Sequence, residues 1–243
     1  MTSSSIQEAR QLLLGDGTTP LKLHYFNIEG VAEQVRIALS LANVPFDDIH
    51  IPFSEWPAKK PTTKYGQLPE MTLPNGHIIT ESMAMLRLAG EADESGALYP
   101  SDMATRVKVE EALGLVGDLS RAWRPALYLG MRPHLFGYPT SEDWDKETKD
   151  ATIKKVREAF LATELPRYMG YFTDMIKESG DMFLLGGDLT IADIAAYQQC
   201  AYFKKGIADY VPKECMDPFP EVNAWMERVI SHPKVAAYKA SKK

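Results

Sequence analysis

The stretch YGQLPEMTLP, Tyr65 to Pro74, poses the question on which the fold turns. A proline, Pro69, stands directly ahead of a short strand-like run, Glu70 to Leu73. Proline has no N–H to give to a ladder, so it belongs at the first residue of a strand, at an edge or in a turn. Just downstream, Pro74-Asn75-Gly76 separates this run from His77-Ile78-Ile79-Thr80. Asn-Gly between two apolar runs predicts a β-hairpin. Glu81 and Ser82 then open SMAMLRLAGEA, which has the spacing of a helix.

Upstream, LKLHYFN (21–27) alternates Leu21, Leu23 and Tyr25 against Lys22, His24 and Phe26, the period of a strand. EGVAEQVRIALSLANV (29–44) sets Val31, Val35 and Leu39, and Ala32, Ile37 and Leu41, at helical spacing, and Asn43 and Pro45 end it. FDDIHIP (46–52) reads as a second strand. Two strands joined by one helix predict a parallel pair with a right-handed crossover. The polar stretch 53–67 carries Pro57 and Pro61 and predicts no long helix. The N-terminal part therefore reads β-α-β, loop, β-β-α.

After Leu98-Tyr99-Pro100-Ser101 the pattern is almost all helix, over 102–131, 141–179, 190–206, 219–231 and 234–241. A boundary is expected near residues 94–101. The expected organisation is an N-terminal extension over 1–20, an α/β domain over 21–95 and an all-α domain over 101–243. Residues 1–20 lack the basic start and apolar stretch of a secretory signal and are not Arg-rich. They are expected to form a mobile arm.

The 243 residues, 45% hydrophobic, suffice for one large domain or two modest ones. The net charge of −6 argues against a nucleic-acid partner, which calls for a basic patch. No apolar run approaches the roughly 18 residues of a membrane span, so no membrane partner is expected. Two cysteines, Cys200 and Cys215, are too few for a disulfide scaffold and fit a reducing compartment, so a cytoplasmic location is expected. Cys200 lies among apolar residues on a helix and reads as core. The histidines, His24, His50, His77, His134 and His232, show no close pairing with one another or with cysteine, so no metal site is expected.

A β-α-β-β-α order with a proline ahead of the hairpin resembles the thioredoxin fold. There the X–Pro bond is cis and turns the preceding residue's backbone toward a ligand. Leu68–Pro69 is then the expected cis bond. The N–H and C=O of Leu68 would be free to pair with an extended peptide, as in strand addition. The alternative is a trans proline that begins an edge strand. The α/β domain contains no cysteine, which excludes thioredoxin-type thiol chemistry within it.

Six segments, HYFNIEGVAEQVRIAL, SEWPAKK, YGQLPE, ITESMAMLR, LTIADIAAY and FPEVNAWMERVISHPKVAAYKAS, follow in order between residues 21 and 241. In these the chain resembles a cytosolic glutathione transferase of the tyrosine type, most like the sigma class with pi-like features. The resemblance implies a thioredoxin-like glutathione-binding domain followed by an all-α domain, glutathione as co-substrate, a hydrophobic electrophile and a homodimer. It implies that the Tyr25 hydroxyl faces the glutathione sulfur as the catalytic residue. Trp56 and Lys60 would hold the glycyl end, Gln67 would be a pi-like glutathione contact, and the backbone of Leu68, ahead of Pro69, would pair with the cysteinyl unit. Glu81 and Ser82 would hold the γ-glutamyl end, and Glu110 would reach its amine across the dimer. Tyr65 aligns with an aromatic that inserts into the partner subunit in pi-like enzymes. Trp123, Tyr128 and Met131 are candidates for the electrophile pocket by position. The chain departs from the pattern at Gly30-Val31, where related sequences carry Gly-Arg and the arginine supports the catalytic region.

The residue types suit these roles. A free thiol has a pKa of about 8.5, and its thiolate is the nucleophile. A donor to the charged form lowers that pKa. Tyrosine, with its own pKa of about 10, is such a donor at neutral pH. Helix N-termini such as that at Ser82 attract carboxylates, and Lys60 offers a point charge. The plain alternatives are a core tyrosine, a helix cap at Glu81 or Ser82, a solvated lysine and a tryptophan anchoring its loop. Thr190-Ile191-Ala192-Asp193 has the spacing of a capping box and reads as structural. The functions to weigh are conjugation of glutathione to small apolar electrophiles, a glutathione-dependent isomerase of the prostaglandin D synthase kind, and a non-enzymatic ligand-binding or crystallin-like protein.

Overall fold

The computed structural model describes residues 4–180 and 182–242. Met1–Ser3 of the expected extension, Asp181, and Lys243 at the end of the expected helical domain lie outside the described residues. The chain forms two compact units. The first takes in the described residues of Met1–Val109, Asp188–Ile194 and Val229–Lys243, the second those of Glu110–Gly187 and Ala195–Arg228.

The first unit is built on four strands, β1 (Leu21–Phe26), β2 (Phe46–Ile51), β3 (Glu70–Thr72) and β4 (Ile78–Thr80), in the order β2-β1-β3-β4. β1 and β2 are parallel, joined by the crossover helix α2 (Glu33–Leu41). β3 is antiparallel to both β1 and β4. Leu21, Leu23 and Tyr25 are buried on one face of β1, as the period of two requires. Helix α2 is buried along almost its whole length, from Glu33 to Leu39. It packs against α4 (Ser82–Glu91) and against α10 (Pro233–Ser241), the last helix of the chain.

The N-terminal stretch is a correction to the expected mobile arm. Ser4–Leu14 is a helix, α1, and Ile6, Ala9 and Leu13 on one side of it are buried. It packs against α4, and its Arg10 binds two helix ends at once. One guanidinium nitrogen donates to the carbonyls of Ala42 and Ala92, each at 3.0 Å. These are the capping residues at the C-termini of α2 and α4. A cation at two helix C-termini satisfies carbonyls with no partner inside their helices and opposes the negative end of each dipole. Lys234 of α10 adds a third such contact, to Leu41 O at 2.8 Å.

After a short four-residue helix, α3 (Trp56–Lys59), and α4, the remaining elements are helices α5 (Met103–Tyr128), α6 (Lys146–Ala159), α7 (Leu165–Glu178), α8 (Ile191–Lys204) and α9 (Pro220–Ser231). The continuous pattern expected over 141–179 divides in two. Helix α6 starts only where Asp145 accepts the Thr148 N–H, and a wider turn at Phe160–Glu164 joins it to α7. Pro166 at the start of α7 explains the wider turn, because it has no N–H for the preceding turn and its ring crowds the carbonyl there. The second unit's core is aromatic: Trp123, Phe160 and Phe203 meet with ring centres 4.9–5.6 Å apart. Phe172 stacks on Trp225 elsewhere in the unit.

Asp193 is fully buried at the start of α8 and accepts from the N–H of Thr190 at 2.9 Å and from its hydroxyl at 2.8 Å. The capping element thus sits where the residue spacing placed it. Ile191 N–H donates to Leu98 O at 2.8 Å, a bond within the first unit.

Candidate functional site

The strand registers gather the site. His24 lies opposite Glu70, and Glu70 lies opposite Thr80. Continuing each antiparallel register by one residue sets Tyr25 across from Pro69, and Pro69 across from Glu81. The end of β1, the start of β3 and the end of β4 therefore meet at one end of the sheet.

Tyr25 is 8% exposed near the end of β1. The chain leaves the strand and returns close over the ring: Gly30, at φ +43°, packs on the Tyr25 hydroxyl. Arg36 of α2, itself 3% exposed, places its guanidinium carbon 5.8 Å from the centre of the Tyr25 ring. The expected arginine position is Val31, which is exposed.

The Leu68–Pro69 peptide bond is cis. The loop ahead of it is tied down by the buried carboxylate of Glu70, which accepts the Lys64 N–H at 2.7 Å. Glu81, the residue before α4, holds φ +71° and ψ +107°. A non-glycine residue rarely adopts this conformation, and strain of this kind clusters at ligand sites. Its carbonyl starts α4 by accepting from Ala84 and Met85. Its carboxylate accepts from Gln67 Nε2 at 2.7 Å, so two of the expected glutathione contacts are paired with each other. Ser82 follows, with its hydroxyl 3.4 Å from Gln34 Nε2 of α2. The first N–H groups of α4 have no acceptor within the helix and form a natural seat for a carboxylate.

On the other side of β1, Phe26 stacks on Phe53, ring centres 4.5 Å apart, and meets the edge of Trp56 at 5.4 Å. Trp56 therefore anchors its loop through this cluster, with its ring partly accessible. Lys60 is exposed, with its aliphatic chain against Gly66.

Glu110, Trp123, Tyr128 and Met131 belong to the second unit. Trp123 is a correction. It is 2% exposed among Phe160, Tyr202 and Phe203, a core position and not the wall of an open pocket. Tyr128 is half-buried with the guanidiniums of Arg124 and Arg132 at 6.0 and 5.4 Å from its ring centre, and Met131 is 60% exposed. Burial pushes the Cys200 thiol up to about 12 and Cys215 up to about 11, so neither is a nucleophile at neutral pH. Among the described residues no group of three or more His, Cys, Asp or Glu could hold a metal ion, and no helix is long and apolar enough to cross a membrane.

Reading the sequence missed Gly30, Gln34 and Arg36 as parts of the site. One signal for the last was present: a charged residue inserted among the apolar residues Val35, Ile37, Ala38 and Leu39. Long charged side chains are seldom fully buried unless they are paired.

Residues 21–88 match the family model described as Glutathione S-transferase, N-terminal domain, and residues 141–242 match Glutathione S-transferase, C-terminal domain. A glutathione S-transferase of Anopheles gambiae is 28% identical over 226 residues, covering 91% of this chain and 96% of its own length. A Schistosoma bovis protein named glutathione S-transferase class-mu 28 kDa isozyme is 27% identical over 230 residues, covering 90% of this chain and 93% of its own. The solved structure of prostaglandin synthase D of Nilaparvata lugens superposes with a TM-score of 0.74 at 25% identity, over 92% of this chain and 98% of that one.

Proposed function

The chain belongs to the glutathione S-transferase family, a family of enzymes, and on that premise we propose that it transfers glutathione to small apolar electrophiles with Tyr25 as the catalytic residue. The observation that carries this reading is the register that brings the end of β1, the start of β3 and the end of β4, next to Tyr25, Pro69 and Glu81, to one end of the sheet. A tripeptide lying across that end of the sheet would meet a hydroxyl at its thiol, the Leu68 backbone at its centre and the N-terminus of α4 at its γ-glutamyl carboxylate. Trp56 and Lys60 serve the glycyl end. Tyr25 donates to the thiolate and lowers the thiol pKa, and the proton passes to solvent. The sulfur then attacks the electrophilic carbon: a C–S bond forms, and a leaving group departs with its electron pair. Thiolate stabilisation and proximity supply the rate gain.

The subclass reading is tyrosine-type, nearest to sigma with pi-like features. It rests on Tyr25-Phe26, the SEWP loop and YGQLP. The active species is a homodimer in which Glu110 contributes to the partner's γ-glutamyl site. Tyr128 and Met131 remain candidates for contact with the electrophile.

Tyr25→Phe tests the central step. The variant is expected to bind glutathione and to lose most conjugation of a chloro-nitroaromatic substrate. Unchanged turnover would remove Tyr25 from its role. A second reading, a glutathione-dependent isomerase, has support from the likeness to the Nilaparvata lugens prostaglandin synthase D. It differs in that glutathione is regenerated and not consumed. Thiol consumption measured beside product formation from an endoperoxide separates the two.

A further inference from the structure

Arg36 is a buried cation with one side uncommitted. Its Nε donates to Asp48 at 3.0 Å, and its Nη1 donates to the carbonyls of Ile28 and Glu29 at 3.0 and 3.2 Å. The Glu33 carboxylate stands 3.5 Å from the same Nη1. Nη2 has no acceptor among the described residues. Buried polar groups are paired in the great majority of cases, so an uncommitted N–H on a guanidinium that is 3% exposed calls for an explanation.

The surroundings fix this side chain from several elements. Ile28 and Glu29 lie in the turn that leads to Gly30, the residue packed on the Tyr25 hydroxyl. Glu33 is held in turn by α10: Lys239 reaches it at 2.7 Å and the Tyr238 hydroxyl at 3.2 Å. Lys239 also pairs with Glu29 at 3.4 Å. Asp48 on β2 is shared with Lys242 at 2.7 Å and His50 at 3.2 Å. The carboxylates of Glu29 and Glu33 are thus matched by Lys239 of α10 and that of Asp48 by Lys242 just past its end, and the guanidinium lies 5.8 Å from the Tyr25 ring centre.

We propose that Arg36 is the positioning residue for Tyr25. It ties the Ile28-Glu29 turn over the ring, and it holds a positive charge beside the ring that favours the anion formed at the hydroxyl. The inference rests on the reading of Tyr25 as thiolate donor. A cation within about 6 Å of a tyrosine ring is attracted by the ring's quadrupole and fixes its plane. Its charge also favours any nearby anion. The chain thereby obtains from inside α2 the cation that its exposed Val31 cannot supply.

The test is the thiolate absorbance of bound glutathione titrated against pH, together with kcat and KM, in the full-length protein. Four proteins are compared: wild type, Tyr25→Phe, Arg36→Lys, and Arg36→Met combined with Asp48→Asn. The double variant removes both members of the pair, so no buried carboxylate loses its only partner. It is expected to bind glutathione with KM within about twofold of wild type while the bound thiol titrates about one unit higher and kcat falls about tenfold. Arg36→Lys keeps the charge and is expected to restore most of the shift. If the methionine variant fails to fold, Arg36→Gln with Asp48→Asn keeps hydrogen-bonding capacity at both sites and carries the same expectation. A folded double variant with the wild-type thiol titration, while Tyr25→Phe raises it, overturns the role of Arg36 alone. No change in Tyr25→Phe itself overturns the thiolate-donor reading, and the Arg36 role with it.

Discussion

A Cβ placed on Gly30 would stand 2.5 Å from the hydroxyl oxygen of Tyr25. Real Cβ atoms do not approach that closely, and the Gly30 backbone, at φ +43°, also lies where L side chains are strained. Gly30→Ala is therefore expected to push the Tyr25 hydroxyl aside. Conjugation should fall at least about tenfold, because an ångström of misplacement at a reacting group costs that much or more. Stability should fall by about 1–2 kcal/mol. Steady-state kinetics and urea denaturation read the two effects separately. Full activity in this variant would show that the turn over the ring is not what sets the hydroxyl's position.

Arg10 offers a test of the N-terminal helix. Removing its guanidinium leaves the carbonyls of Ala42 and Ala92 without their donor and breaks the ion pair with Glu94 at 3.2 Å. Glu94 is largely exposed, so the ion pair adds little. The two hydrogen bonds dominate, and Arg10→Met is expected to cost about 2 kcal/mol. The urea midpoint should drop while KM for glutathione stays at the wild-type value, since Arg10 is not among the residues at the Tyr25 end of the sheet.

Asp193→Ala removes the acceptor for both the N–H and the hydroxyl of Thr190, all of it buried. Loss of a helix cap typically costs about 0.5–2 kcal/mol, and burial places this one at the upper end. Chemical denaturation should show the loss. Asp193→Asn keeps an acceptor oxygen and should recover part of it.

Acid should weaken the fold in two separate windows. His24 is held below its ordinary value by burial and then by Lys59, and His232 by burial and then by Lys234. Both are neutral in the folded state where the unfolded chain would bind protons. Their contribution is complete above the unfolded histidine value of about 6.5 and is lost as pH falls below it. Asp48 acts lower. Burial raises its carboxyl, but Lys242 and Arg36 outweigh burial and hold it below the ordinary value. Its contribution is present above about 3.9 and is lost as pH falls through the folded value. Thermal denaturation against pH should show both declines, and Asp48→Asn should reduce the lower one.

Tyr65 is 60% exposed, with the Lys64 ammonium 5.3 Å from its ring centre. If the protein is a homodimer with this ring seated on the partner, sedimentation at micromolar concentration gives twice the chain mass. Tyr65→Ala should then shift the population toward monomer. A wild-type monomer under the same conditions would exclude the cross-subunit role of Glu110.

The sequence by itself determined the elements and their kinds. Alternation at Leu21, Leu23 and Tyr25, the Asn75-Gly76 turn and the helical spacing after residue 102 are local patterns, and local patterns follow from the two periods of the backbone. Thr190 and Asp193 were legible for the same reason, because a cap is a contact between near neighbours. Even α1 was legible in principle, through Ile6, Ala9 and Leu13 on one face. What fastens it, Arg10 on two helix ends, joins residues 32 and 82 positions apart. Tertiary structure alone decided which residues meet: Tyr25 with Gly30 and Arg36, Gln67 with Glu81, and Lys239 of the last helix with Glu33 of α2. It also placed Trp123 in the core, where an aromatic on a helix gives no local sign of the side it will bury. Periodicity states that a face is buried. The partner of that face depends on strand register and helix packing, which long-range contacts set.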